Sequence, residues 1–287
     1  MKKNTPINNV SPGIIAFLFL FLVGCADLKG IRKFADTGAD STSYNAFVTD
    51  YSGTVLRRKE YAPGKEQIES IHVEYERRIK DQKRLLELNK TVTDYMAALA
   101  ALASDETIDF SAESKELGGS LEKIGYLDKK ETAAATALFD LIAKAASEGY
   151  RQGKLKEIIK NSNADLQVLL GSIQQIVGTA YVQSLDSEKL ALSSAYQGPS
   201  MTDLTKENAA VVLPLRSVYF SRLTKLESQK EAAIMYSQAI GIIAKAHQKL
   251  YDERNKMSLG RLSTTVEFHA KQAKALYEAA KELLKKE

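Results

Sequence analysis

Apolar residues recur along most of this chain at alternating spacings of three and four, the pattern of helices that bury one face. Phe47, Tyr51 and Val55 open the series and predict a first amphipathic helix over roughly 44–60. Pro63-Gly64 punctuates it, and a second helix is expected from Lys65. That helix carries Leu85, Leu88, Val92, Tyr95, Leu99 and Leu102 on one stripe and Ile68, Tyr75, Ile79 and Leu86 on an adjacent one. Its apolar face is therefore wider than a two-stranded coiled-coil seam. Residues 104–127, with Gly118, Gly119 and Gly125 among Ser, Asp and Glu, form the largest break.

Asp128 stands three residues before Glu131, a capping box that opens the next helix. From Leu138 the heptad runs without a slip through Glu148, Gln152, Leu155, Ile159, Ser162, Leu166, Leu169, Ile173 and Ile176 to Ala180. It predicts a helix over 128–195, roughly 100 Å long if unbroken, with Gly149, Gly153 and Asn161-Ser162-Asn163 as kink points. The same register turns Glu148 and Gln152 inward as an interior polar layer. Gly198-Pro199 marks a turn, and Pro214 falls either in an early turn after a short segment at 203–213 or at a kink in one longer helix. Val212, Leu215, Tyr219, Leu226, Ala233, Tyr236, Ile240, Ile243, His247 and Leu250 form the third long stripe. After Ser258-Leu259-Gly260, Thr264 and Glu267 offer another capping box, and Leu262, Val266, Ala273, Leu276 and Leu283 carry the register to the end. Period-two alternation is absent. The fold class expected is all-α: an elongated antiparallel bundle of about three long heptad-patterned helical arms, spanning 43–287.

Composition narrows what such a bundle does. Five prolines in 287 residues leave room for long helices, and 44% apolar with 26% charged residues suits a packed fold. The 40 Lys+Arg nearly balance 36 Asp+Glu, so no nucleic-acid partner is expected. The single cysteine excludes an internal disulfide and any multi-cysteine zinc site.

That cysteine has a telling position. Met1-Lys2-Lys3 is a short positive start, and residues 14–23 are an uninterrupted apolar run, short for a membrane span but suited to the h-region of a signal peptide. The run ends in Leu22-Val23-Gly24-Cys25. This motif resembles the lipobox of bacterial lipoproteins at all four positions. The resemblance implies cleavage between Gly24 and Cys25, a diacylglycerol on the Cys25 thiol, and an acyl chain on the new amino group. Two or three chains give durable anchoring where one does not. On this reading residues 1–24 are a signal peptide, 25–42 a lipidated tether with a short helical turn through Ile31 and Phe34, and the formal charge falls from +4 to +2 as Lys2 and Lys3 leave. Ala26 after the cysteine, rather than Asp, favours the outer membrane by analogy with enterobacterial sorting.

Catalytic signals are sparse. Of three histidines, His247 and His269 lie on apolar stripes and read as satisfied core or boundary residues. His72 and Glu76 stand one turn apart with no second histidine at metal-binding spacing, so no metal site is assigned. Neither a phosphate-binding loop nor a G-x-S-x-G nucleophile motif occurs. Arg57-Arg58-Lys59, Arg77-Arg78 and Lys285-Lys286 read as solvated faces, and Gly171 and Gly178 mark a close crossing within the bundle or a self-association face.

Together these features predict a non-enzymatic envelope lipoprotein without cofactor, bound to membrane lipid through Cys25 and acting as scaffold or adaptor toward a protein partner or copies of itself. Two alternatives stand beside it. One is a membrane-active bundle resembling helical pore-forming toxins, whose best apolar segment here is Ala209–Leu215; the other is a ligand-binding bundle using Glu148 and Gln152.

Overall fold

The computed structural model describes residues 28–104, 126–147, 154–196, 204–256 and 258–285. Among them there is no strand. The helices are α1 (Lys29–Thr42), α2 (Ala46–Lys59), α3 (Lys65–Leu102), α4 (Lys129–Ser147), α5 (Leu155–Gln175), α6 (Val182–Tyr196), α7 (Ala209–Glu253) and α8 (Leu259–Lys285), with a π-helical segment, Ile176–Tyr181, joining α5 to α6. The all-α bundle reading holds, and the starts of α3 and α4 fall where Pro63-Gly64 and the capping box place them. Asp128 Oδ1 accepts the Glu131 amide at 2.9 Å, and Glu131 Oε2 accepts the Asp128 amide at 3.0 Å.

The bundle closes as a ring. α7 packs along α8, α8 on α1, α1 on α3, α3 on α5, and α5 back on α7, with α2 laid across α3 and α6. Cross-helix bonds give the directions. Gly30 donates to Ser263 Oγ and Lys33 to Glu267, so α1 and α8 run parallel. The α5–α6 rod and α7 run antiparallel over their whole shared length, from Asn163–Gln248 through Gln174–Ser237 and Asp186–Lys230 to Ser193–Tyr219. The predicted stripe of α3, Leu85 to Leu102, is fully inside, as is that of α7 from Leu226 to Leu250. An aromatic seam crosses the centre: Phe47 meets Tyr236 at 4.8 Å and Tyr181 at 6.1 Å, and Tyr181 meets Tyr51 at 6.0 Å.

Four expectations are corrected. Residues 29–42 are not a tether but α1, whose Ile31, Phe34 and Ala35 belong to the central core. The helix expected over 128–195 is α4 and, packed against it, a separate rod made of α5, the π segment and α6. α4 packs against α5 through a face carrying Ala135, Leu138, Ile142 and Ala145, and helices joined by so short a link lie antiparallel. Asn161-Ser162-Asn163 lies inside an unbroken α5, while the irregularity comes later, at Ile176–Tyr181. There the π turn admits one extra residue, and beyond it Tyr181, Leu185, Glu188 and Leu192 face inward. Finally, α8 starts at Leu259, before Thr264; Thr264 bonds back to the Gly260 carbonyl within the helix, and Glu267 pairs with Lys33 on α1. Pro214 sits within α7, just past its first turn, so of the two readings it falls inside one longer helix, which begins at Ala209.

Candidate functional site

The sequence-derived site residues Gly24 and Cys25, and the polar pair Glu148 and Gln152, lie outside the described residues. The described chain contains a different buried polar layer, where α3, α5 and α7 meet. Each helix is apolar around it, so the layer consists of the few polar side chains that the stripes carry inward: Tyr95, Ser162, Asn163 and His247. Tyr95 Oη lies 2.6 Å from Ser162 Oγ and 2.7 Å from His247 Nε2. His247 Nδ1 lies 2.9 Å from Asn163 Oδ1, and Asn163 Nδ2 donates to Gln248 Oε1 at 2.7 Å. Gln248 Nε2 in turn donates to Asp252 Oδ1 at 2.9 Å.

Donor and acceptor roles follow from the wet end inward. Asn163 spends its amide nitrogen on Gln248, so its oxygen accepts, and His247 carries its proton on Nδ1. Nε2 is then the acceptor for the Tyr95 hydroxyl, and Tyr95 oxygen accepts from Ser162. Every donor in the chain points from the core toward Asp252. Complete burial pulls His247 down to about 3 and raises Tyr95 above the usual phenol range. Near neutrality, then, the histidine is neutral and the tyrosine protonated, so the pair locks the helices in register and is poorly suited to proton transfer.

Gln248 and Asp252 belong also to an open groove of about 780 Å³ on the α5–α7 surface, which Gln167, Gln174, Gln238 and Lys245 line as well. The groove offers amide groups at both walls, though part of that capacity is already used. Gln167 Nε2 donates to the Ala244 carbonyl and Gln174 Nε2 to that of Ser237.

A second polar cluster pins α2 to the π segment and α6. Arg57 makes paired contacts to Asp50 (2.6 and 3.1 Å) and Glu188 (2.6 and 2.9 Å), and Tyr181 donates to Asp50 Oδ2 at 2.6 Å. Burial pushes the Glu188 carboxyl upward against the opposing pull of Arg57. Arg58 reaches Glu74, so two residues of the basic run read as a solvated face are tied into the fold. Nothing in the linear pattern signalled this, because Asp50, Arg57 and Glu188 look like ordinary helix-surface charges until the π turn rotates Glu188 inward.

The remaining sequence candidates separate. His72 is exposed on α3 and His269 half-buried on α8. Among the described residues no group of three or more His, Cys, Asp and Glu is placed to hold a metal ion. A side chain at Gly178 would strike Ser237, so Gly178 is a crossing point within the molecule, whereas Gly171 faces open space.

Comparison with known proteins adds no relative: no family model, no curated protein and no solved structure matches the chain.

Proposed function

We propose that this chain is a lipid-anchored protein of the bacterial cell envelope, held through acylated Cys25, that works by contact as a scaffold or adaptor and not as an enzyme. The observation that carries the reading is the join between leader and fold. Only Ala26 and Asp27 separate Cys25 from Leu28, which is already packed in the core. A lipid on Cys25 would therefore hold one end of the bundle within about 10 Å of the bilayer surface. The outer membrane is the favoured location, on the residue that follows the cysteine.

Processing tests the anchor. Wild-type chain should run as a lipid-labelled, membrane-bound species whose maturation globomycin blocks. Cys25→Ala should lose the label and the globomycin sensitivity together. Labelling that persists in Cys25→Ala overturns the anchor. Cross-linking in intact cells tests the contact role: discrete adducts support it, and a strictly solitary chain counts against it.

A further inference from the structure

The groove between α5 and α7 carries two cations that the fold leaves unused. Lys245 and Lys249 line it one helical turn apart, and neither makes an ion pair or hydrogen bond with any described residue. Their surroundings hold no counter-charge. From Leu166 to Leu185 the facing chain has no charged residue, and from Ala232 to Tyr251 on α7 these two lysines are the only charged side chains. The acids at one end of the groove are engaged elsewhere: Asp252 accepts from Gln248 at 2.9 Å, and Glu253 pairs with Lys256 at 3.8 Å.

The glutamines beside these lysines are already held in place. Gln167 Nε2 donates to the Ala244 carbonyl at 2.9 Å and lies 3.5 Å from Asn163 Oδ1. Gln174 Nε2 donates to the Ser237 carbonyl at 3.1 Å, and Gln248 is fixed between Asn163 and Asp252. Gly241 permits the close approach of Gln174, since a Cβ there would run into Gln174 Nε2. With their nitrogens committed to the fold, Gln167 and Gln174 have their carbonyl oxygens left for a ligand, about 10 Å apart along α5. Ile242 and Leu276 give the groove an apolar border. From Gln238 to Asp252 it follows one continuous helix for about 20 Å.

We propose that this groove is the docking site for an extended acidic peptide of about six residues, a segment of a partner protein that carries two carboxylates with one residue between them. Lys245 and Lys249 stand about 6 Å apart along the helix axis. Alternate side chains of an extended chain point the same way and are about 6.7 Å apart, so two carboxylates meet two lysines. Six extended residues span about 20 Å, the length of the groove. A peptide backbone also brings N–H donors to the Gln167 and Gln174 oxygens, which inorganic phosphate and a phosphatidylglycerol surface lack. Asp252 and Glu253, of opposite sign at one end, set the register by excluding a third carboxylate there. Because the glutamines are held before the peptide arrives, ordering them costs the complex little. As the partner for the contact role proposed above, the peptide rests on that reading.

The probe is a capped six-residue peptide with glutamate at its second and fourth positions and serine elsewhere, titrated into the full-length, isotope-labelled chain and followed by NMR. The side-chain amide signals of Gln167, Gln174 and Gln238 should shift, with an affinity about tenfold above that of the version with glutamine at both positions. Added salt should weaken the binding. Lys245→Glu combined with Lys249→Glu should lose the preference while keeping the melting curve, and should bind instead the version with lysine at both positions. N-methylation of the peptide backbone should weaken the glutamate peptide by a comparable factor. The proposal is overturned if the glutamate and glutamine versions bind alike, if the shifts arise elsewhere on the surface, if the charge-reversed chain still prefers glutamate, or if N-methylation costs nothing. Inorganic phosphate or phosphatidylglycerol vesicles that shift the same signals as strongly at equal concentration would overturn it too, by assigning the lysines to a phosphate ligand. Cross-linked adducts in cells without peptide binding fail the groove alone, and peptide binding without adducts fails the contact role alone.

Discussion

At the scale of single residues, His247 is the most consequential side chain in the described core. It is buried at a point where three helices meet, and its neutrality is a condition of folding. Its proton affinity is depressed from the usual 6.5 to about 3. The unfolded chain therefore takes up a proton that the folded chain refuses as pH falls below the unfolded value. The stabilisation is fully present above about 6.5 and is lost progressively toward about 3. Between pH 6.5 and pH 4.5 the His247 contribution to this loss is about 2–3 kcal/mol. Urea unfolding across that range should show the loss, and His247→Phe should flatten part of it, even though the substitution lowers stability overall by removing the bonds of His247 to Tyr95 and Asn163. The sequence reading had this residue as a satisfied core histidine, and that is what it is. Its partners Tyr95, Ser162 and Asn163 were beyond reach, because they come from helices whose mutual register no linear pattern encodes.

Between elements, the closest joints are made by glycines and by one arginine. A Cβ on Gly30 would run into the Ser263 carbonyl oxygen, a backbone atom that cannot swing aside. Gly30→Ala should force α1 from α8 and cost about 1–3 kcal/mol. Gly171→Ala meets nothing within 4 Å and should be neutral or stabilising by up to about 1 kcal/mol through helix propensity. Thermal melts of the two variants measure both signs. Arg57 joins α2 to α6 by neutralising Glu188, which is nearly inaccessible. Arg57→Met should cost about 3 kcal/mol, the low end for a broken buried pair because Arg57 itself keeps partial solvent access. Adding Glu188→Leu should recover most of it, since the cost is chiefly an unpaired buried carboxylate. A chemical-denaturation cycle over the two single variants and the double variant tests this.

For the whole molecule, the ring of helices depends on α1 being inside it. Were residues 29–42 a tether, their removal would leave melting unchanged. As α1 fills the gap between α8 and α3 with Ile31, Phe34 and Ala35, a chain lacking 29–42 should lose its cooperative transition or melt many degrees lower. Differential scanning calorimetry of the two chains separates these outcomes. The arrangement also divides the molecule into two ends. α1 starts beside the first turn of α8, where α7 ends, and the exposed apolar turns of α7 lie at the other end of that long helix.

What the linear order of residues determined was the class of fold and most helix borders, since the three–four spacing and the Asp128–Glu131 box are local features whose physics is complete within a few residues. It also carried the lipobox resemblance, which rests on contiguous positions. Tertiary structure alone decided the reversal between α4 and α5, the one-residue shift at Ile176–Tyr181, the recruitment of 29–42 into the core and the exposure of the first turns of α7. Each of these depends on which faces other helices cover. A heptad says that a stripe is apolar, but only the packed bundle says whether anything covers it.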